Sequence, residues 1–337
     1  MIQKALVCAV LVSLSCTAQN KTKAAPIQKY LATITQADLK KHLTIVASDE
    51  MEGRDTGTEG QKKAGRYLIE QYKKNGISFP DGASDYYQKV PAEFMKSNYG
   101  PKLNDSENIW AYIKGTEKPD EILVISAHYD HVGVKNGDVY NGADDDGSGT
   151  VALLEIAQAF QLAKKQGHGP KRSILILHVT GEEHGLHGSR FYAKNPLFPL
   201  KNTIADINID MIGRRDFDHP KTNNYVYVIG ADRLSSQLHD ITVAANEKYT
   251  KLDLDFKYND KKDPNHFYER SDHYNFAKNG IPSVFLFNGV HEDYHKKTDE
   301  VSKIEFDALA KRTQLAFAMA WELANRPERI VVDKPLQ

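Results

Sequence analysis

The sequence predicts an α/β protein: a mostly parallel or mixed twisted sheet with helices on both faces. Three observations predict it. Short β-rich runs alternate with helix-length amphipathic stretches through the centre of the chain, the pattern of a sheet wound with crossover helices. Several runs, such as EILVISA from Glu121 and SILILHVT from Ser173, are apolar at successive positions, as strands covered on both faces are. Acidic and imidazole side chains follow those runs, where open α/β sheets gather their ligand-binding groups.

In chain order, residues 1–18 read as an export signal and not as part of the fold. Lys4 supplies the charge, residues 5–14 form an apolar run interrupted only by Ser13, and Ser15-Cys16-Thr17-Ala18 offers small residues for cleavage. Residues 19–29 read as a linker and residues 30–337 as a single domain. Both cysteines, Cys8 and Cys16, fall in the export segment, so cleavage after Ala18 leaves neither disulfide nor thiolate chemistry. Cleavage before Cys16 would instead leave a lipidated amino terminus. The implied location is periplasmic or extracellular, with lipid anchoring through Cys16 as the variant.

Residues 35–47 open on a capping threonine and carry Leu39, Leu43 and Val46 at helical spacing, which predicts a helix. Residues 48–60 are rich in Gly and Glu and read as a loop. Residues 61–74 place Ala64, Tyr67, Leu68 and Tyr72 on one helical face before Asn75-Gly76 ends it. Residues 86–90 and 108–113 alternate and read as peripheral antiparallel strands. Core strands follow at 121–127, 173–180, 203–209, 225–229 and 281–287, separated by helices at 147–163, 189–193, 235–249 and 303–325.

Composition narrows the function. The chain has 337 residues, and 44 Lys and Arg stand against 45 Asp and Glu, for a net charge of -1. That balance offers no basic field for a phosphate backbone, which excludes nucleic acid as a partner. A mean hydropathy of -0.55 and the absence of a spanning-length apolar run exclude a polytopic membrane protein.

The strand ends carry the chemistry. The first core strand ends in His128-Tyr129-Asp130, the second in Gly181-Glu182-Glu183 and the third in Asp210-Met211-Ile212-Gly213. The last is followed by Asp293-Tyr294-His295, and an acidic loop, residues 141–149, opens the long central helix. Each motif alone reads equally well as a solvated surface pair. Their shared position at strand ends points to a metal site.

H-x-D, G-A-D-D-D-G-S-G, G-E-E-x-G-L-x-G-S, N-x-D-M-I-G, S-D-H with a following G-I-P, and Y-H-x-x-x-D occur in that order. This ordered set resembles the zinc aminopeptidase family of the M28 metallopeptidase clan, over residues 46–324. The resemblance implies a hydrolase of peptide substrates with two zinc ions per chain. It implies that His128 and Asp210 hold one zinc, Glu183 and His295 the other, that Asp145 bridges both, and that Glu182 is the general base. Two imidazoles and three carboxylates suit zinc better than magnesium or calcium. Asp130 and Asp299 fit as acceptors for the outer N–H groups of His128 and His295. Tyr294 is expected to donate to the reacting carbonyl oxygen, and Arg270 to reach that oxygen or a substrate carboxylate.

The remaining histidines have blander readings. His184 and His187 read as structural or pocket-wall residues, His178 as a core histidine, and His219, His266, His273 and His291 as loop residues near a specificity pocket. Asp144 and Asp146 read as shaping the loop around Asp145. Residues 214–269 are expected to contribute pocket walls. Other functions stay open on the sequence: a glutaminyl-cyclase-like acyltransferase with one zinc, a carboxypeptidase using Arg214, Arg215 or Arg270, and a non-catalytic peptide-binding ectodomain. Oligomeric state is not legible.

Overall fold

The computed structural model describes residues 27–96 and 102–336, so the expected export signal, Cys16 and most of the linker lie outside the described residues. The strands are β1 (Tyr87–Val90), β2 (Ser106–Ile113), β3 (Lys118–His128), β4 (Val134–Lys135), β5 (Asp138–Val139), β6 (Arg172–Val179), β7 (Thr203–Ile209), β8 (Tyr225–Ile229), β9 (Asp253–Asp255) and β10 (Ser283–Phe287). The helices are α1 (Ile27–Leu31), α2 (Gln36–Val46), α3 (Glu59–Asn75), α4 (Gly149–Lys165), α5 (His187–Lys194), α6 (Ser236–Ala245), α7 (His273–Ala277) and α8 (Phe306–Asn325).

Eight strands form one mixed sheet in the order β1-β2-β6-β3-β7-β10-β8-β9, while β4 and β5 make a separate small hairpin. The central four, β6, β3, β7 and β10, run parallel. β1 and β2 are antiparallel additions at one side, and β8 runs antiparallel to β10 at the other.

Side-chain alternation explains why the central strands read as apolar throughout. Along β3, Leu123, Ile125 and Ala127 enter the core cluster that holds the buried faces of α4 and α8, whereas Ile122 and Val124 meet Tyr192 of α5 and Phe276 of α7. Successive residues of a strand point to opposite faces, so a strand buried on both sides loses its polar register. β10 divides in the same way. Val284 and Leu286 join the large core, and Phe285 and Phe287 face an aromatic cluster with Tyr227, Phe267 and Met211.

Local chemistry fixes the element ends. Thr35 caps α2, its side chain accepting from the Asp38 amide, and Gly76 ends α3 in the left-handed conformation that glycine adopts without strain. The structure differs from the sequence reading in short pieces. The loop expected at 48–60 contains a 3-10 turn, Asp49–Arg54. α1 begins inside the expected linker, and α6 gives way to a wider turn at Asn246–Thr250. α7, β9 and the β4–β5 hairpin are too short to show a period in sequence.

Candidate metal centre

His128, Glu182, Glu183, Asp210, Tyr294 and His295, with Asp145 from the acidic loop, come together beyond the carboxyl ends of the parallel strands. His128 is the last residue of β3 and Asp210 the first after β7. His128 Nδ1 lies 3.1 Å from the Asp130 carbonyl. That contact places the proton on Nδ1 and leaves the Nε2 lone pair free to bind. This lone pair faces Asp145 Oδ1 at 3.3 Å and Asp210 Oδ1 at 3.5 Å. On the other side of Asp145, His295 Nε2 lies 3.0 Å from Asp145 Oδ2 and 2.9 Å from Glu183 Oε2.

These contacts test whether the residues fit a metal. Asp145 Oδ2 is buried and has no hydrogen-bond partner, although imidazole nitrogens surround it. Donor atoms of His128, Asp145 and Asp210 lie within 4.8 Å of one another, as do those of His131, Asp145 and Glu183. Lone pairs converging in a buried, acid-rich cluster need a cation to balance them. The nitrogen and oxygen donors suit a divalent transition metal.

The supporting contacts are partly those expected. The Asp130 carboxylate accepts from Thr56 Oγ1 at 2.8 Å and from the Glu182 amide at 3.3 Å, whereas its Oδ1 is 3.8 Å from His128 Nδ1. It is the backbone carbonyl of Asp130, and not the carboxylate, that receives the His128 N–H. Asp299 differs more. Its carboxylate accepts the amides of Asp144 and Asp145 at 3.0–3.1 Å, so it stands behind the bridging loop rather than behind His295. The chain turns through a left-handed residue at His295, which re-aims everything after it.

The three adjacent aspartates point in three directions. Asp144 accepts from the Gly213 amide and faces His291; Asp146 accepts from the amides of Gly149 and Met211; Asp145 is the one that faces His128 and His295. Asp210 is oriented by the Ser271 hydroxyl, which donates to Oδ2 at 2.6 Å and itself receives the Asn208 amide. Arg54, fully buried, donates to the carbonyls of Val46, Tyr129, Asn141 and Gly142 and so ties the end of β3 to the acidic loop. Sequence reading missed Arg54, Ser271 and the buried His131, whose partners are distant in the chain.

Glu182 lines a cleft of about 30 Å³ with His128, Asp145, Asp210, Met211, Phe267, Arg270, Phe285, Phe287, Val290 and Tyr294. Burial lifts its carboxyl well above the ordinary carboxylate range; Asp210, Glu183 and Asp272 push the same way, and His128 opposes them. Glu182 and Glu183 sit at the start of a turn over residues 182–185, with the Gly185 amide donating to the Glu182 carbonyl. Burial, reinforced by the nearby carboxylates, raises the Tyr294 phenol, which keeps it protonated and able to donate. A groove of about 450 Å³ shares Phe267, Arg270, Val290 and Tyr294 with the cleft and extends along Asp216, Phe217, Asp218, Tyr258 and Asn265, a wall drawn from residues 214–269.

The other histidines stand apart. His184 pairs with Asp55 at 2.8 Å, His187 contacts Arg190, and His178 is buried against Tyr72. His219 stacks on Tyr225, and His273 and His291 are buried and do not line the cleft. Arg214 pairs with Asp293 and Arg215 with Glu305, which leaves Arg270 as the member of the three that reaches the cleft.

The model of peptidase family M28 matches residues 108–320, which contain every one of these converging side chains except Arg54 and Thr56. The chain belongs to peptidase family M28. Within the family it is similar to a probable leucine aminopeptidase of Arthroderma benhamiae, 30% identical over 86% of this chain and 77% of the relative. The chain spans about half the length of the curated zinc metalloproteases it matches. In fold it is similar to the aminopeptidase LapA of Legionella pneumophila, with a TM-score of 0.69 at 20% identity over 97% of this chain and 81% of LapA. It is also similar in fold to the glutaminyl cyclase of Porphyromonas gingivalis, with a TM-score of 0.63 at 18% identity over 85% of this chain and 97% of that one. The M28 fold thus carries more than one chemistry, and the site has to decide between them. No helix among the described residues is long and apolar enough to cross a membrane.

Proposed function

We propose that this M28 protein is a two-zinc aminopeptidase with Glu182 as its general base. The observation that carries the reading is the two-sided Asp145 carboxylate, with Oδ1 facing His128 and Oδ2 facing His295. One carboxylate between two imidazole-bearing pockets supports two cation positions: His128, Asp145 and Asp210 at one, and Asp145, Glu183 and His295 at the other. When bound, the zinc ions supply Lewis-acid polarisation of the scissile carbonyl and a more acidic water.

The chain supplies the rest. Glu182 lies in the cleft, beside His128, Asp145 and Asp210, with a carboxyl that burial holds well above the ordinary carboxylate range, which supports a group that takes a proton from water and returns it to the departing amine. Tyr294 lines the same cleft and stays a phenol, which supports its donating to the carbonyl oxygen as charge develops there. Met211, Phe285, Phe287 and Val290 give the cleft an apolar wall, and the adjoining groove of about 450 Å³ has room for a substrate side chain and the remainder of the peptide. The acidic cluster attracts the free α-amine. Arg270, on the rim, fits a substrate carbonyl or carboxylate.

A purified protein with two zinc ions per chain that cleaves leucine anilide, but not its N-acetylated form, is the expected result. One zinc per chain with cyclisation of N-terminal glutamine would favour the cyclase chemistry, and faster release of C-terminal residues a carboxypeptidase. Glu182→Gln should keep its metals and lose about 10²–10⁴ in turnover, since the amide cannot accept the proton. Near wild-type activity in that variant would rule out Glu182 as the base.

A further inference from the structure

His131 is an imidazole inside the cluster that the mechanism above does not use. It lies three residues beyond the end of β3 and is fully buried. Its Nδ1 is 2.7 Å from Glu183 Oε1 and 3.7 Å from Asp145 Oδ2, and its Nε2 has no hydrogen-bond partner. Glu183 is therefore held at both oxygens, with Oε1 on His131 and Oε2 on His295. The ring has a built seat. A Cβ at Gly142 would fall 2.4–2.5 Å from its Cδ2 and Cγ, so only glycine at 142 admits the imidazole, and the His131 amide is held by the Arg54 carbonyl at 3.2 Å.

Two roles are open to such a ring, and its surroundings choose between them. If the Nδ1 lone pair bound a metal, the proton would sit on Nε2 as a buried N–H without an acceptor, a costly arrangement. With the proton on Nδ1, the ring donates to Glu183 Oε1 at hydrogen-bond distance and leaves only an unpaired lone pair. We propose that His131 is a positioning residue: its Nδ1–H fixes Glu183 Oε1, so that the carboxylate presents Oε2 to the second metal position beside His295. The proposal rests on the two-zinc reading.

The test is competitive zinc titration against a chelator, with X-ray absorption to count imidazoles, on the full protein and on His131→Ala and His131→Asn. The asparagine amide places an N–H near the position of imidazole Nδ1. Loss of a partner to a metal-binding carboxylate weakens binding by about 10–100-fold. His131→Ala should weaken the second zinc to that extent and leave the first unchanged, His131→Asn should restore most of the affinity, and absorption should show two imidazoles shared over the two metals. Wild-type affinity at both positions in His131→Ala, or failure of His131→Asn to exceed it in affinity, overturns the positioning role. Three imidazoles over the two metals would make His131 a ligand and also overturn it. A wild-type protein that binds one zinc refutes the two-zinc reading itself.

Discussion

Replacing Arg54 with methionine should be among the most damaging single changes in this protein, although Arg54 touches neither the expected metals nor the cleft. Its guanidinium makes four hydrogen bonds of 2.6–3.0 Å to backbone carbonyls. The Gly142 carbonyl also accepts from the Gly147 amide, so it keeps a donor in the variant. The carbonyls of Val46, Tyr129 and Asn141 lose theirs. An orphaned buried acceptor costs about 1–3 kcal/mol, so three set a range of about 3–9 kcal/mol, and partial water entry moves the value toward about 4 kcal/mol. At about 2.1 cal/mol/K of unfolding entropy per residue, that amounts to a melting point lower by roughly 6 °C at this chain length. Arg54→Lys keeps the charge and at most three of the bonds, and should fall between the two. The anchored carbonyls adjoin His128 and the acidic loop, so zinc content should fall with stability in the methionine variant. Thermal melts with parallel metal analysis test both parts. A methionine variant that melts within about 2 °C of the parent with full metal content would refute the reasoning.

Asp145→Ala removes the one carboxylate that faces both imidazoles, so zinc per chain should drop by more than one equivalent; retention of two tightly held ions would move the bridge elsewhere. A pH prediction comes from His178, which burial holds down at about 3 against a usual value near 6.5. The unfolded chain takes up a proton below pH 6.5 that the folded one refuses, so stability present above that pH is lost as it falls toward 3. Between pH 7 and pH 5 this single group contributes about 2 kcal/mol of loss. Metal-free His178→Phe should show a pH dependence shallower by that amount in denaturant titrations, and an identical slope would contradict the assignment.

The fold was legible in the sequence because strands buried on both faces leave an unmistakable apolar signature, and because the groups at their ends are few and chemically distinct. The motifs that hold His128, Glu183, Asp210 and His295, and the acidic loop that holds Asp145, stand out by residue type and place after the strands, but which member of each is expected to bind metal comes from the resemblance to the M28 family. What supports them is not so readable. Arg54 sits in a segment that reads as a loop, and its partners lie 8, 75, 87 and 88 residues away along the chain. Asp299 has the spacing of a partner for His295, yet spacing says nothing of direction once the backbone turns left-handed at His295. Ser271 carries no signal beyond its place before Asp272, and its hydroxyl reaches Asp210 only because α7 packs against β7 and β10.

The strand order gives metal capture a place in time. Along the sheet the relevant strands run β6, β3, β7, β10, so the groups at their ends lie in the spatial order Glu183, His128, Asp210, His295, while in the chain His128 comes first. A growing or refolding chain that has formed β3 presents one imidazole. β6 must then enter between β2 and β3 before Glu183 arrives; on the two-zinc reading the first cation position is complete once β7 joins the other flank, and the second only when β10 has followed. Contacts separated this far in sequence form slowly, because closing long loops costs entropy before any bond returns it. Uptake of the second zinc during refolding therefore reports the final closure of the sheet and not its early collapse, and a chain cut short before residue 295 would leave that position without its imidazole however well the remaining strands had assembled.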